Sequence, residues 1–397
     1  MSDTIKSATS YLKLKGYESQ DVLGKGTYGL VYKVVSADRV IKAAKIVENR
    51  FVNMLEVREW PKLNHQNILR LLETILNVEG AVIFITEIMD TNLFLFLQKK
   101  PFRNDPFAPE KCRLFARQVF SGLAYLHERN LCHLDIRAEN IFVASDSRVT
   151  VADFSGLTYA EEAKRFCPLP RSLRPPELLT TKKIKVAPMP VDLWSCGLLL
   201  AYMFIGKGYY NLTVRNSKAG SIEAVKDYME CFASKKYVTS FLSATYPNCK
   251  VSEIKISELI TFMGLFLQMQ PTLRISAAEA LEHSFMSNCV TEVLPGMPCA
   301  IKESKTPTAT IDQLISDHQK EVRSDAKLFA LDMELEESDK NINEKISAWI
   351  KYKPTFENIR KTLQHVSSSP LFKNSKSRTR TVGTQISNTN LKMFVPK

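Results

Sequence analysis

Three side chains that could bind a metal ion or move a proton lie at fixed spacing in the segment LCHLDIRAENIFVASDSRVTVADFSG, residues 131–156. They are Asp135, Asn140 and Asp153. Carboxylate and amide oxygens are ligands that suit Mg²⁺, and a positioned carboxylate can accept the proton of a hydroxyl group. Each residue could equally be a turn or capping residue, which is the commoner role of a single Asp or Asn.

The order of these residues resembles the catalytic loop and metal-binding segment of eukaryotic protein kinases. A histidine is followed by Asp135 two residues on, Asn140 five further, and a β-branched run that ends in Asp-Phe. The resemblance implies that Asp135 takes or orients the proton of the substrate hydroxyl, while Asn140 and Asp153 hold Mg²⁺. Since three residues agree with the motif in order, we favour this interpretation over separate capping residues.

A glycine-containing segment near the N-terminus, YESQDVLGKGTYGLVYKVV at 17–35, alternates apolar residues around its glycines. The pattern predicts a strand, a glycine turn and a second strand. A plain β-hairpin would look the same, but the position upstream of a lysine and the catalytic loop favours a nucleotide-binding loop. By resemblance, the residues that cover ATP from above are Gly24, Lys25, Gly26, Gly29 and Val31.

The next strand, VIKAAKI at 40–46, carries two candidate lysines for the phosphates of ATP. The order Ala-x-Lys resembles the kinase motif and favours Lys45 over Lys42, with Ala43 on the adenine side. A short helix ending at a proline should follow. By resemblance, Glu56 on this helix pairs with the lysine; Glu59 is the alternative, and both could be solvated helix acids.

The apolar run AVIFITEIM at 81–89 predicts a buried strand that leads into the connection between two lobes. By resemblance, Thr86 is the gatekeeper residue, and backbone groups of Glu87 and Met89 bond the edge of adenine. Phe142 would close the adenine slot from below. A buried strand with no binding role would give the same pattern, so this alternative stays open.

The predicted fold class is α+β: a bilobal protein kinase fold over residues 17–286, with a β-rich N-lobe (17–89) and a helical C-lobe (90–286). We interpret residues 1–16 as a polar leader. Amphipathic periodicity predicts a helical extension over 287–366, a possible site for a protein partner. The basic, Ser/Thr-rich stretch 367–397 predicts a disordered tail.

Several further residues have structural roles by resemblance. His133 should pack with Phe154 in the core. Glu177 should pair with Arg274, since a buried carboxylate without a partner would be costly. The helix around Val191-Asp-Leu-Trp should use Asp192 to hold the backbone of the catalytic loop.

Four positions depart from the family pattern. Leu134 replaces the arginine that reads a phosphorylated activation segment, and Arg137 replaces the catalytic-loop lysine while keeping its charge. Ser155 replaces the glycine of Asp-Phe-Gly, although Gly156 follows and could supply flexibility. Pro170 takes the place of a threonine that bonds the catalytic aspartate, and proline cannot form that bond.

Two classes of function therefore remain open. One is an ATP- and Mg²⁺-dependent protein kinase acting on protein substrates, of the Ser/Thr type because of the basic residue at 137 and Glu139. The other is a pseudokinase that acts as a scaffold or allosteric partner. Retention of the residues that carry phosphate and metal charge favours the first; they are Lys45, Glu56, Asp135, Asn140 and Asp153.

The composition of the chain limits the class of protein and its location in the cell. The chain has 397 residues, 45% hydrophobic content, mean hydropathy −0.14 and 8 cysteines without any CxxC pair, which does not indicate a zinc site or a disulfide framework. The apolar run 191–205 contains an aspartate and is too short for a membrane span, and residues 1–10 lack a signal-peptide core. We expect a cytoplasmic or nuclear protein. Despite the net charge of +12, nucleic-acid or membrane contact by the basic tail is the weaker interpretation.

Overall fold

The computed structural model describes residues 3–25, 29–78, 80–162, 168–179, 187–213, 218–249 and 252–287. These residues form a β-sheet lobe followed by a mainly helical lobe, as predicted for the kinase fold. The predicted extension and tail, beyond residue 287, lie outside the described residues.

The N-lobe is a five-stranded antiparallel sheet of order β1-β2-β3-β5-β4. Its strands are β1 (Tyr17–Lys25), β2 (Gly29–Ser36), β3 (Ile41–Glu48), β4 (Leu71–Val78) and β5 (Ala81–Glu87). Alternation along β2 and β3 sends Tyr32 and Ile46 to the outer face, whereas Val31 and Lys45 are paired on the inner face. The register therefore places Lys45, the candidate nucleotide-binding lysine, toward the C-lobe.

The interpretation of residues 1–16 as a leader needs correction. They contain helix α1 (Asp3–Leu14), whose side chains Ile5, Ala8 and Leu12 are buried. Their spacing of three and four residues forms one apolar face, which packs on the outer face of the sheet beside Ile46. The helix was missed because its remaining positions are polar, and a short polar segment gives little local sign of the surface that it covers.

The predicted short helix is α2 (Met54–Glu59), which is followed by a 3-10 turn (Trp60–Lys62). Asn53 caps α2, since its side chain accepts a hydrogen bond from the Leu55 amide. The proline lies inside the 3-10 turn, where its missing amide proton is tolerated.

The C-lobe contains helices joined by short strands. The helices are α3 (Leu93–Gln98), α4 (Lys100–Arg103), α5 (Ala108–His127), α6 (Pro188–Ile205), α7 (Lys207–Thr213), α8 (Ile222–Ala233), α9 (Lys235–Thr245), α10 (Glu253–Phe266), α11 (Ala277–Glu282) and α12 (Ser284–Ser287). The strands are β6 (Thr91–Asn92), β7 (Leu131–Cys132), β8 (Ile141–Val143), β9 (Val149–Val151) and β10 (Thr158–Tyr159), in sheets β6-β8-β9 and β10-β7.

Helix α6 is the central helix of this lobe. It is long and apolar enough to cross a membrane by length and composition, yet 89% of it is buried inside the protein, as expected for a core helix. Near its start, Arg274 forms a two-point ion pair with Glu177 at 2.6 and 2.7 Å and lies over the Trp194 ring. This confirms the predicted structural pair, which fixes the end of the activation segment to the C-lobe.

Candidate active site

The catalytic loop is anchored by Asp192, near the N-terminal end of α6. The buried Asp192 carboxylate accepts hydrogen bonds from the backbone amides of His133 at 2.8 Å and Leu134 at 2.7 Å. Leu134 has a φ of 63°, an unusual value for leucine that these bonds help to impose. The predicted role of Asp192 is confirmed, and Asp135 follows on a backbone that is held rigidly.

Asp135 is buried, and its two carboxylate oxygens have different surroundings. Oδ2 accepts a hydrogen bond from Asn140 Nδ2 at 2.7 Å, and the same nitrogen also donates to the Asp135 carbonyl oxygen. Oδ1 lies 3.4 Å from Arg137 Nε but has no hydrogen-bond partner among the described residues. Burial raises the pKa of Asp135, and the Arg137 charge opposes this effect. The carboxylate thus has one hydrogen-bonded oxygen and one buried oxygen that lies beside the Arg137 guanidinium.

Lys45 joins the N-lobe to the candidate metal-binding segment around Asp153. Its Nζ lies 2.8 Å from Glu56 Oε1 and 2.8 Å from Asp153 Oδ1. Burial alone would lower the pKa of Lys45, but the two carboxylates outweigh it and raise that pKa, so the ammonium stays charged. Lys42 instead points to the other face, with its Nζ over the Tyr17 ring. Because side chains alternate along β3, the two candidate lysines point to opposite faces of the sheet, and only Lys45 faces Glu56 and Asp153.

Asp153 adopts the left-handed conformation with a φ of 63°. Burial opposes its ionisation, but the Lys45 charge and the hydrogen bonds from Lys45 and Ser155 hold the pKa of Asp153 well below its usual range. Asn140 uses its amide nitrogen on Asp135, so its carbonyl oxygen is the atom left for a metal. A carboxylate and an amide oxygen form a donor set that fits Mg²⁺.

The glycine-rich loop is described only at its two ends. Gly24 and Lys25 finish β1, Gly29 begins β2, and Gly26 lies outside the described residues. A Cβ atom at Gly29 would collide with the backbone carbonyl of Ile46 on β3. Gly29 is therefore required by the close approach of β2 to β3, and its role in covering ATP stays a prediction.

The candidate adenine residues come from both lobes. Ala43 is paired with Thr86 across β3 and β5, and Phe142 lies in β8. The Thr86 hydroxyl donates to the Glu87 carbonyl at 2.9 Å. Met89 lies between β5 and β6 and packs partly against the core.

Glu87 also has a structural role that the sequence did not indicate. Its carboxylate bonds the Arg148 guanidinium at 3.1 and 2.8 Å, and Oε1 accepts from the Arg70 amide. This side chain fixes the connection between the lobes, while its backbone remains the group predicted to meet adenine.

A column of aromatic rings links the two lobes behind the site. Trp60 lies 5.3 Å from Phe84 and 5.1 Å from Phe154, measured between ring centroids, and His133 lies 5.4 Å from Phe154. The predicted packing of His133 on Phe154 is confirmed. Trp60 was missed by the sequence analysis, where a tryptophan just before the helix-ending proline was its only signal.

Leu134 lies inside an apolar cluster where related kinases place a charged pocket. Its side chain is buried with Cys132, Leu169 and Val191, and Leu178 packs against this group. The activation segment on both sides of Pro170 is therefore held by apolar contact. Thr158, one of the hydroxyls that a phosphorylation switch could use, is fully buried.

Gly156 has a steric role in this structure, and its supply of flexibility in place of the missing glycine stays a prediction. Gly156 has no positive φ, and a Cβ at this position would approach the His133 carbonyl oxygen at 2.7 Å and Pro168 at 2.9 Å. Lack of space thus explains the glycine. Ser155 lies in the 3-10 turn that follows Asp153. Its backbone does not need a positive φ, so a serine fits there as well as a glycine.

A cavity of about 200 Å³ adjoins the catalytic loop. It lies between Arg137, the activation segment and α6, and its apolar lining includes Leu169, Pro170, Leu199 and Tyr202. The cavity therefore places apolar surface next to the catalytic loop, beginning at the residue after Asp135.

Comparison with known proteins agrees with the fold and the geometry. The profile of the protein kinase domain family matches residues 17–286, and the chain belongs to this family. Over this region the chain is also similar to Ser/Thr protein kinases.

Three relatives illustrate this similarity. CTD kinase subunit alpha of Schizosaccharomyces pombe is 28% identical over 68% of this chain and 48% of its own length. Serine/threonine-protein kinase MAK of Homo sapiens is 27% identical over 68% of this chain and 45% of its own length. Cell division control protein 2 homolog 3 of Trypanosoma brucei brucei is 27% identical over 69% of this chain and 93% of its own length. The chain spans about half the length of the first of these curated relatives.

Proposed function

We propose that the protein transfers the γ-phosphoryl group of ATP to serine or threonine hydroxyls of protein substrates. The observation that carries this proposal is the linked set of charges in which Lys45 contacts both Glu56 and Asp153. In a member of the protein kinase family, this set keeps a cation and a metal-binding carboxylate together at the place of the phosphates.

The chain supplies the proton acceptor and the positive charge for this reaction. The hydroxyl oxygen of the substrate forms a bond to the γ-phosphorus, the bond from that phosphorus to the bridging oxygen of ADP breaks, and the Asp135 carboxylate accepts the hydroxyl proton. Arg137 stabilises charge on the transferred group, and Lys45 meets the α- and β-phosphates. Mg²⁺ held by Asn140 and Asp153 would neutralise phosphate charge.

A polypeptide acceptor is supported by the apolar cavity beside Arg137. An apolar side chain next to the accepting serine or threonine would bury surface there and bring the hydroxyl toward Asp135. The names of the relatives, which are protein kinases, agree with a protein as the acceptor.

The alternative is a pseudokinase that binds partners through the same fold without efficient transfer. It is favoured by Pro170, which leaves Asp135 Oδ1 without the threonine hydrogen bond of related kinases. A misplacement of about 1 Å at the reacting atoms can cost on the order of a hundredfold in rate, so slow turnover is expected even from an active enzyme.

The test is to incubate the purified protein with labelled ATP, Mg²⁺ and generic Ser/Thr protein substrates. Asp135→Asn and Asp153→Asn serve as controls, and both are expected to abolish incorporation. If the wild type incorporates no more label than Asp135→Asn but still shows Mg²⁺-dependent nucleotide binding, the pseudokinase alternative is correct.

A further inference from the structure

Asn53, the capping residue of α2, contacts the metal-binding segment directly. Its Oδ1 accepts a hydrogen bond from the backbone amide two residues on at 3.0 Å. Its Nδ2 donates to the carbonyl oxygens of Ser155 at 3.0 Å and Leu157 at 2.9 Å. One partly buried side chain thus joins the helix that carries Glu56 to the turn that follows Asp153.

The other end of α2 is bonded to the same segment. The Tyr159 hydroxyl donates to Glu59 Oε1 at 3.0 Å. Burial raises the pKa of Tyr159, and the neighbouring Glu59 charge adds to this, so the hydroxyl keeps its proton and remains a donor. Between these two contacts, Lys45 joins the middle of α2 to the metal-binding carboxylate.

The length of α2 makes these contacts important. The helix has six residues, and a helix this short has little stability of its own in water. Its position must therefore come from tertiary contacts. Two of the hydrogen bonds that supply it leave from the single side chain of Asn53.

We propose that Asn53 is a positioning residue that holds α2 against the turn after Asp153, so that the Lys45 and Glu56 pair is assembled before Mg-ATP binds. The inference rests on the proposed function. Asn53 itself does not touch the reacting atoms, and it acts through Glu56 and Asp153.

The expected kinetic effect follows from this mode of action. Without the two hydrogen bonds that Asn53 donates, only a fraction of the molecules would have the site assembled. The apparent affinity for Mg-ATP would fall in proportion to that fraction. Saturating Mg-ATP would restore assembly. Loss of Asn53 should therefore raise the KM for Mg-ATP by about tenfold and change kcat by no more than about twofold.

The variant Asn53→Ser separates this role from helix capping. Serine is a good capping residue and keeps the acceptor, but it cannot reach both carbonyl oxygens as a donor. Asn53→Asp also keeps the cap and places a carboxylate against the two carbonyls, so its KM should rise further. Asn248→Ser is the matched control, since Asn248 Nδ2 donates to the Asn104 carbonyl at 2.9 Å in the C-lobe.

Three measurements on the full chain decide the proposal. They are KM and kcat for Mg-ATP, equilibrium binding of a fluorescent ADP analogue with Mg²⁺, and amide hydrogen exchange. In Asn53→Ser, exchange over 153–159 and α2 should be about tenfold faster than in the wild type and in Asn248→Ser, and analogue binding should weaken to the same degree.

Hydrogen exchange and analogue binding also separate this proposal from the proposed function. If the wild type transfers no phosphoryl group, the proposed function fails, while faster exchange and weaker binding in Asn53→Ser still support the positioning role. Unchanged exchange over 153–159 in Asn53→Ser overturns it. A fall in kcat with constant KM also overturns it, because that pattern indicates a general loss of folded enzyme.

Discussion

At the scale of single residues, Asp135 and Arg137 form a pair whose charges affect each other. Burial raises the pKa of Asp135, whereas the Arg137 guanidinium 3.4 Å away lowers it. The carboxylate must be ionised to accept a proton. Activity is therefore expected to fall on the acidic side at a higher pH than an ordinary aspartate would give.

Replacing Arg137 tests this coupling. In Arg137→Met the cation that favours the carboxylate is gone, so the pKa of Asp135 rises and the acidic limb of the kcat/KM profile should move up by roughly one pH unit. The height of the profile will also fall because a charge near the γ-phosphate is lost. Arg171→Met, in an exposed residue that bonds the Gly220 carbonyl, is the control and should leave the limb in place. An unmoved limb in Arg137→Met would mean that another group sets it.

At the scale of elements, the activation segment depends on apolar packing. Leu134 is 3% exposed and contacts a cluster that includes Leu169 and Leu178, where related kinases use an arginine. A phosphate on Tyr159 or Ser172 would lack that charge-assisted partner.

We therefore expect that loop phosphorylation is not the activating switch. Phosphatase treatment should leave kinase activity unchanged relative to a mock-treated sample, measured with the same substrate and Mg-ATP. A fall of about tenfold or more would show that another basic group reads a phosphate.

Helix α1 is the second element with a testable role. Leu12 is fully buried between α1 and the sheet, so Leu12→Ala should lower the free energy of unfolding of the N-lobe by about 2–4 kcal/mol. Lys13→Ala, one residue along on the exposed side, should change it by less than about 0.5 kcal/mol. Urea denaturation measures both. Equal effects of the two substitutions would mean that α1 does not contribute to the core.

At the scale of the whole molecule, the hydrophobic core of the kinase domain is complete by the last described helix, which precedes most of the predicted extension. Phe285 and Met286 are buried in the C-lobe, and Arg113 Nε donates to the Phe285 carbonyl at 3.0 Å. The last described helix thus completes packing around α5 and α10.

We predict that residues 287–397 are dispensable for folding of the kinase core and contribute a regulatory or partner contact, which truncation at about Asn288 tests. A chain of residues 1–287 should be soluble and should melt within a few degrees of the full chain, as measured by circular dichroism. A chain ending at residue 275, which lacks α11 and α12, should not fold and serves as the comparison. Insolubility of 1–287 would mean that the extension belongs to the core.

The sequence alone, through motifs that resemble those of protein kinases, predicted the fold, the catalytic loop and Asp135, Asn140 and Asp153 as candidate site residues. The motif can be recognised locally because only four residues separate Asp135 from Asn140 and the order of residue types matches the family pattern. The sequence also predicted α6 as a buried helix and the pairing of Glu177 with Arg274, since a matching motif specifies both partners.

Only the tertiary structure decided which residues hold this set in place. The contact from Asn53 to Ser155 joins positions 102 residues apart, and local periodicity carries no information about such a partner. The same is true of α1, because its apolar face can be recognised only from the sheet on which it packs. It is also true of Leu134, because only the structure shows that this leucine, in place of an arginine, packs in an apolar cluster. Short-range spacing fixes which groups can react, whereas packing between distant segments fixes where those groups are held.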